Sequence, residues 1–220
     1  MSEINVLPLF STPVMYEYKT EYRVSQKERD ILYSLEEQNN YGNALSKNTY
    51  VLDLPGLENL KSFLQSKLDH YAKTVVAVEE QKFYITNSWT TRNKTGEKHH
   101  SHRHPNSMLS GVFYLEADGN SPLEISHRSR IFEDFRFLFE HDEMNMYNSS
   151  SWKGLVKTGS LIIFPSWLVH EAHENTSMID RRVLGFNSFV EGVFGTKDDG
   201  SDAYSAELVL KDIRGNYGNP

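Results

Sequence analysis

The sequence predicts a mainly β, α+β chain in which two N-terminal helices pack on one side of a β-sandwich. Two segments with helical apolar spacing come before residue 78, and a series of short aromatic and β-branched segments comes after it. No internal repeat or low-complexity linker divides the 220 residues. All-β sandwiches and barrels often reach this size as one unit, so a single domain over 1–220 is expected.

Val6 to Tyr18 is apolar but carries Pro8 and Pro13, which suits an edge strand or an extended arm. Ser25-Gln26-Lys27-Glu28 matches a capping box, in which the Ser hydroxyl and the Glu carboxylate each cover an orphan amide. Ile31, Leu32 and Leu35 then share one helical face. A second helix follows Pro55, with Leu57, Leu60, Leu64, Leu68 and Tyr71 forming an apolar stripe. The helical part therefore covers about 24–78.

Strands are expected at Lys82 to Thr91, Met108 to Leu115, Leu123 to Ser126, Gly154 to Lys157, Ser160 to Phe164 and Arg181 to Val190. Arg128 to Trp152 lacks clear periodicity and reads as a long insertion, about 128–152, of the kind that serves as a lid or binding loop. Thr196 to Pro220 is a polar tail with a loose end.

The chain contains no cysteine, which removes disulfides, thiolate zinc sites and a Cys nucleophile; a metal must be held by His, Asp or Glu. The formal net charge of -7 argues against phosphate-backbone binding, so nucleic acid is not an expected partner. No apolar run approaches the roughly 18 residues a membrane span needs. Met1-Ser2-Glu3-Ile4-Asn5 lacks the features of a signal peptide, so the expected location is cytoplasmic. Oligomeric state and primary substrate are not legible.

Nine histidines are present, and four lie between His99 and His104. Two His one residue apart on a strand point to the same face and can converge on one ion. His102 and His104 have this spacing, and so do His100 and His102, so spacing alone leaves the register open. A third ligand must come from elsewhere, and Phe164 to His170 supplies a strand, a turn and a His. Three protein ligands would leave positions open for a cosubstrate and oxygen. A solvated His-rich loop that picks up metal by chance is the competing reading. His99, His127, His141 and His173 read as ordinary polar residues, and His70 as a surface or packing residue.

The string from His102 to Leu115, containing His-Arg-His-Pro-Asn-Ser-Met-Leu-Ser-Gly-Val-Phe-Tyr-Leu, resembles the core motif of 2-oxoglutarate/iron(II) oxygenases found in marine bacteria and cyanophages, which are similar to prolyl hydroxylases. Gly159 to His170, Asn175-Thr176-Ser177, Arg181, Phe186-Asn187 and the N-terminal Leu9 to Val14 fit the same pattern. The resemblance implies a double-stranded β-helix (jelly roll, cupin-like) and a hydroxylase using Fe(II), 2-oxoglutarate and O2, in the host cytoplasm if the chain is phage-encoded. The metal triad would fall on His102, His104 and His170. Arg181 would pair with the far carboxylate of 2-oxoglutarate, helped by Tyr114 and by Ser110, which shares its parity.

One departure stands out: His104 occupies the place of the usual carboxylate ligand. A neutral ligand leaves the site one positive charge higher, which strengthens anion binding and alters the iron potential. Glu97 is the nearest alternative carboxylate. Trp89, Trp167 and Phe113 read first as core packing and otherwise as apolar walls of the site, and Trp152 could touch substrate. The alternatives are a cupin-like three-His dioxygenase that does not use 2-oxoglutarate, a non-catalytic metal-binding β-sandwich module, and a zinc hydrolase.

Overall fold

In the computed structural model, residues 11–126, 143, 145, 149–194 and 208–211 are described. The elements in chain order are β1 (Met15–Glu17), α1 (Gln26–Tyr33), β2 (Glu37–Asn39), β3 (Ala44–Ser46), α2 (Glu58–Tyr71), β4 (Lys82–Asn93), β5 (His99–His102), β6 (Leu109–Glu116), β7 (Leu123–Ser126), β8 (Ser151–Gly154), β9 (Leu161–Pro165), β10 (Val169–Ala172), β11 (Arg181–Phe194) and β12 (Leu208–Leu210).

The major sheet runs β1-β9-β6-β11-β4-β3-β2, with β12 paired to the end of β11. The minor sheet runs β5-β10-β7-β8. All of these ladders are antiparallel, and the two sheets make a double-stranded β-helix, or jelly roll.

The major sheet is covered on both faces, which explains why its central strands read as nearly unbroken apolar runs. On one face Phe113, Leu115, Ile163, Leu184 and Phe186 pack with Leu57, Leu60, Leu64, Leu68 and Tyr71 of the α2 segment. Those five helix-side residues are all buried, as their spacing requires. On the other face Tyr114, Ile162 and Phe164 meet Leu123, Ile125 and Leu168 in a second core between the sheets. Alternation along each strand decides which core a residue joins.

The capping box forms as read: Ser25 Oγ accepts from the Glu28 amide at 3.3 Å, and the Glu28 carboxylate accepts from the Ser25 amide at 2.8 Å. The α1 helix stops at Tyr33, where the Ser34 amide donates to Asp30 O and its hydroxyl to Ile31 O. Leu35 therefore packs on the core from beyond the helix end, not from its face.

Four expected strands lie within a few residues of their predicted bounds, and Leu123–Ser126 matches. The strand expected at Gly154 to Lys157 instead occupies Ser151–Gly154, so it overlaps the end of the supposed insertion. Trp152 folds over Gly154 there; an added Cβ at Gly154 would sit 2.3 Å from the indole. Short β2, β3, β5, β10 and β12 lacked a run long enough to show period-two alternation. Most of the expected insertion at 128–152, His127, His141 and all of the tail at 196–220 except 208–211 lie outside the described residues. No helix among the described residues is long and apolar enough to cross a membrane.

Candidate metal centre

A cavity opens between the sheets. The inward face of β4 contributes Trp89, Thr91 and Asn93, that of β6 Val112 and Tyr114, and that of β11 Arg181, Val183 and Gly185. The minor sheet adds His99 and His102 from β5, Leu123 from β7, and His170 and Ala172 from β10. The period of two on three adjacent major-sheet strands aligns these rows: Gly185 pairs with both Trp89 and Val112, and Arg181 pairs with Asn93. Gly185 leaves room for an aromatic neighbour, since a Cβ there would lie 2.7 Å from the Trp89 ring.

His102, His104 and His170 offer ligand nitrogens that all lie within 4.8 Å of one another. His102 and His170 are direct partners across the β5–β10 ladder, with ring centroids 4.3 Å apart. His104 lies beyond the end of β5, so strand alternation is not what brings it in. Its amide donates to Ser166 O at 3.0 Å, and its ring sits 5.3 Å from Trp89, edge to face.

Each of the three rings has its Nδ1 facing an oxygen. The His102 Nδ1 lies 2.8 Å from His100 O, that of His170 lies 3.1 Å from Leu168 O, and that of His104 lies 2.7 Å from both Asn187 Oδ1 and Ser110 Oγ. A carbonyl oxygen can only accept, so Nδ1 carries the proton in each ring and the Nε2 lone pair is left for an ion. Burial lowers the pKa of all three, that of His104 to about 4, and neighbouring imidazoles lower it further. The rings are thus neutral at physiological pH, as metal ligands must be. The donor set fits a first-row transition ion such as Fe(II).

At the other end of the cavity Arg181 is 3% exposed. Its Nη1 donates to His173 O at 3.0 Å, while its Nη2 is buried without a hydrogen-bond partner. Thr91 Oγ1 and Asn93 Nδ2, which also line the cavity, are likewise buried and unpartnered. Among the described residues, none that lines it is acidic. A desolvated guanidinium with no carboxylate neighbour is costly unless an anion completes it, and burial accordingly lowers its pKa. Tyr114 is buried beside it, and burial raises its phenol pKa.

Several site expectations require correction. Ser110 does not line the cavity; its fully buried hydroxyl bonds Ser166, Asn187 and His104, so it stands behind the ligand ring. Glu97 is no substitute ligand, because its carboxylate accepts the Lys94 amide at 2.7 Å in the turn before β5. Phe113 belongs to the helix-side core, Trp167 is half exposed, and Trp152 packs on Tyr16. His99 is no ordinary polar residue: it lines the cavity and stacks on His102 with centroids 4.5 Å apart. Burial lowers its pKa to about 3. His173 bonds Glu124 on the outer side of the minor sheet, and His70 is exposed.

Asn187, Thr91 and Asn93 went unassigned in the sequence. Parity with Arg181 could have flagged Asn187, and parity with Trp89 the other two.

Residues 87–187 match the family described as "Putative 2OG-Fe(II) oxygenase". Over that segment the chain is similar to the 2OG-Fe(II) oxygenases. The segment takes in all three clustered histidines, Arg181 and Asn187. A comparison with curated proteins found no match.

Solved structures share the fold of this chain at low identity. A prolyl-4-hydroxylase from Pseudomonas putida is 11% identical with a TM-score of 0.53, covering 80% of this chain and 92% of that one. HygX from Streptomyces hygroscopicus, solved with nickel and 2-oxoglutarate bound, is 10% identical with a TM-score of 0.53, over 80% of this chain and 82% of that one. A prolyl hydroxylase from Trichoplax adhaerens, in complex with a hypoxia-inducible-factor peptide fragment, is 13% identical with a TM-score of 0.54, over 80% and 83%.

Proposed function

We propose that this chain is a 2-oxoglutarate- and iron(II)-dependent oxygenase that hydroxylates its substrate as a single jelly-roll domain over 1–220, with His102, His104 and His170 as the iron(II) ligands and Arg181 as the anchor for the far carboxylate of 2-oxoglutarate. With O2, bound iron(II) and 2-oxoglutarate supply an oxidative decarboxylation that yields succinate, CO2 and a hydroxylated product. The chain's own part is to hold and shield them. Three Nδ1–H donors fixed by backbone and side-chain oxygens aim three lone pairs at one point. Arg181, with Asn93 and Thr91 beside it, fixes a dianion at one end. Trp89, Val112, Leu123 and Val183 exclude water between the two ends. A cytoplasmic place of action belongs to this reading.

The observation that carries it is the buried Arg181 Nη2, which lines the same cavity as the histidines and lacks a partner. A solvent-facing Arg would have favoured a three-His enzyme indifferent to 2-oxoglutarate, or a metal-binding module. Tyr114 belongs in the same anchor, its hydroxyl beside the carboxylate. Ser110 acts through His104 and not on the cosubstrate.

Anaerobic addition of 2-oxoglutarate to the iron(II)-loaded protein tests this. A visible charge-transfer band should appear with one equivalent and be lost in Arg181→Ala. Full iron loading with no band in the unaltered protein would overturn the keto-acid reading.

A further inference from the structure

A second group of histidines stands beside the first. His99, His100 and His102 also bring three ligand nitrogens within 4.8 Å of one another. Strand alternation alone would not produce this cluster, since His99 and His102 have opposite parity. The β5–β10 ladder shifts register here: His102 faces His170 and His99 faces Ala172, so three steps on β5 oppose two on β10. The extra residue is a bulge, which re-aims side chains. It turns His99 onto the cavity side with His102, while His100 stays exposed to solvent.

The hydrogen bonds leave lone pairs available. The His102 Nδ1 proton is committed to His100 O, so that ring has one lone pair, on Nε2. The Asn40 amide reaches His99 Nε2 at 3.4 Å. An amide N–H only donates, so this Nε2 is also the unprotonated nitrogen, held by a long contact that a cation can replace. Two three-histidine groups therefore share one ring with one lone pair. An ion can use His102 in one group or in the other, but not in both at once.

We propose that His99, His100 and His102 form an outer site for a divalent first-row transition ion, from which the ion passes to the inner group by way of His102. All-imidazole ligation selects Fe(II), Ni(II) or Zn(II) over Mg(II) and Ca(II). The exposed His100 is the point of capture, and the buried His170 marks the end of the path.

Nickel(II) alone is the probe. A His104→Ala/His170→Ala protein, shown to be folded by circular dichroism, should still bind one nickel by calorimetry. Adding His100→Ala should weaken that binding at least about tenfold, the low end of what even an outer-shell partner is worth. No nickel bound to the folded double variant, or binding unchanged by His100→Ala, overturns the outer site. In the otherwise unaltered protein, His100→Ala should slow nickel association about tenfold by stopped flow, within the range over which mutations move on-rates. It should leave the equilibrium affinity of the inner site in place. An unchanged association rate overturns the loading role, and this arm stands even if the double variant does not fold. The charge-transfer band that 2-oxoglutarate gives with the iron(II)-loaded protein reports the proposed function separately, so failure of the outer site is distinct from failure of that reading.

Discussion

Asn187 Oδ1 lies 2.7 Å from His104 Nδ1 and also accepts from Ser110 Oγ at 2.8 Å. The Asn187 oxygen thereby fixes the orientation and tautomer of a ring that no strand holds. Asn187→Leu removes the acceptor, and metal affinity should fall about 10- to 100-fold. Calorimetry with nickel(II) measures it. Unchanged affinity would show that the backbone contact to Ser166 is enough to position the ring.

The proposed function assigns the far carboxylate of 2-oxoglutarate to the Arg181 guanidinium. Hydrogen bonds to charged groups are worth about 1.5–3 kcal/mol. Arg181→Leu should therefore weaken 2-oxoglutarate binding by roughly ten- to a hundredfold while metal affinity holds. Arg181→Lys should recover only part of the loss, because an ammonium is a point charge without the planar fork. Anaerobic titration of the metal-loaded protein reads both.

Chelation should lower stability, since an ion bound only by the folded state stabilises it by mass action. At a free metal concentration of about 100 times Kd the effect is about 2.7 kcal/mol. Thermal melts with nickel(II) and with excess EDTA should therefore differ, and the difference should shrink in His104→Ala/His170→Ala, which keeps only the outer group.

The acid response follows from the depressed imidazoles. Burial holds the pKa of the folded His104 imidazole at about 4 and that of His99 at about 3, below the usual range for histidine. The unfolded chain then takes up protons before the folded one does. Stability of the metal-free protein should be intact above about pH 6.5 and fall as pH drops toward 4. Urea melts between pH 7 and 4 check the slope. Nickel binding at pH 6 should also release few protons, where three ordinary imidazoles would release about two. Calorimetry in buffers of different ionisation enthalpy counts them.

Gly185 makes space for Trp89, since its Cβ would meet the ring at 2.7 Å. Gly185→Ala should cost about 1–3 kcal/mol through overpacking, seen as a lower urea midpoint. The tryptophan emission should shift as Trp89 moves off His104.

Much of the architecture was legible locally. The capping box at Ser25, the leucine stripe of α2 and the period-two rows of β4, β6 and β11 each need only near neighbours to be stated. Arg181 was legible as well, because its parity could be counted along one long strand. Strand β5 was not, since four residues are too few to show a period and the bulge depends on its partner β10.

The sequence by itself determined that any metal here must be held by His, Asp or Glu, that imidazoles are concentrated at residues 99–104, and that Arg181 and Arg182 follow the distal histidine at the start of the last long strand. Only the tertiary structure decided which histidines meet. Register across the β5–β10 ladder sets His102 opposite His170 and turns His99 inward, while hydrogen bonds from strands far along the chain fix the His104 ring. The physical reason is that a lone pair has a direction, and direction at these rings is set by backbone pairing and hydrogen bonds between segments that sequence spacing does not relate.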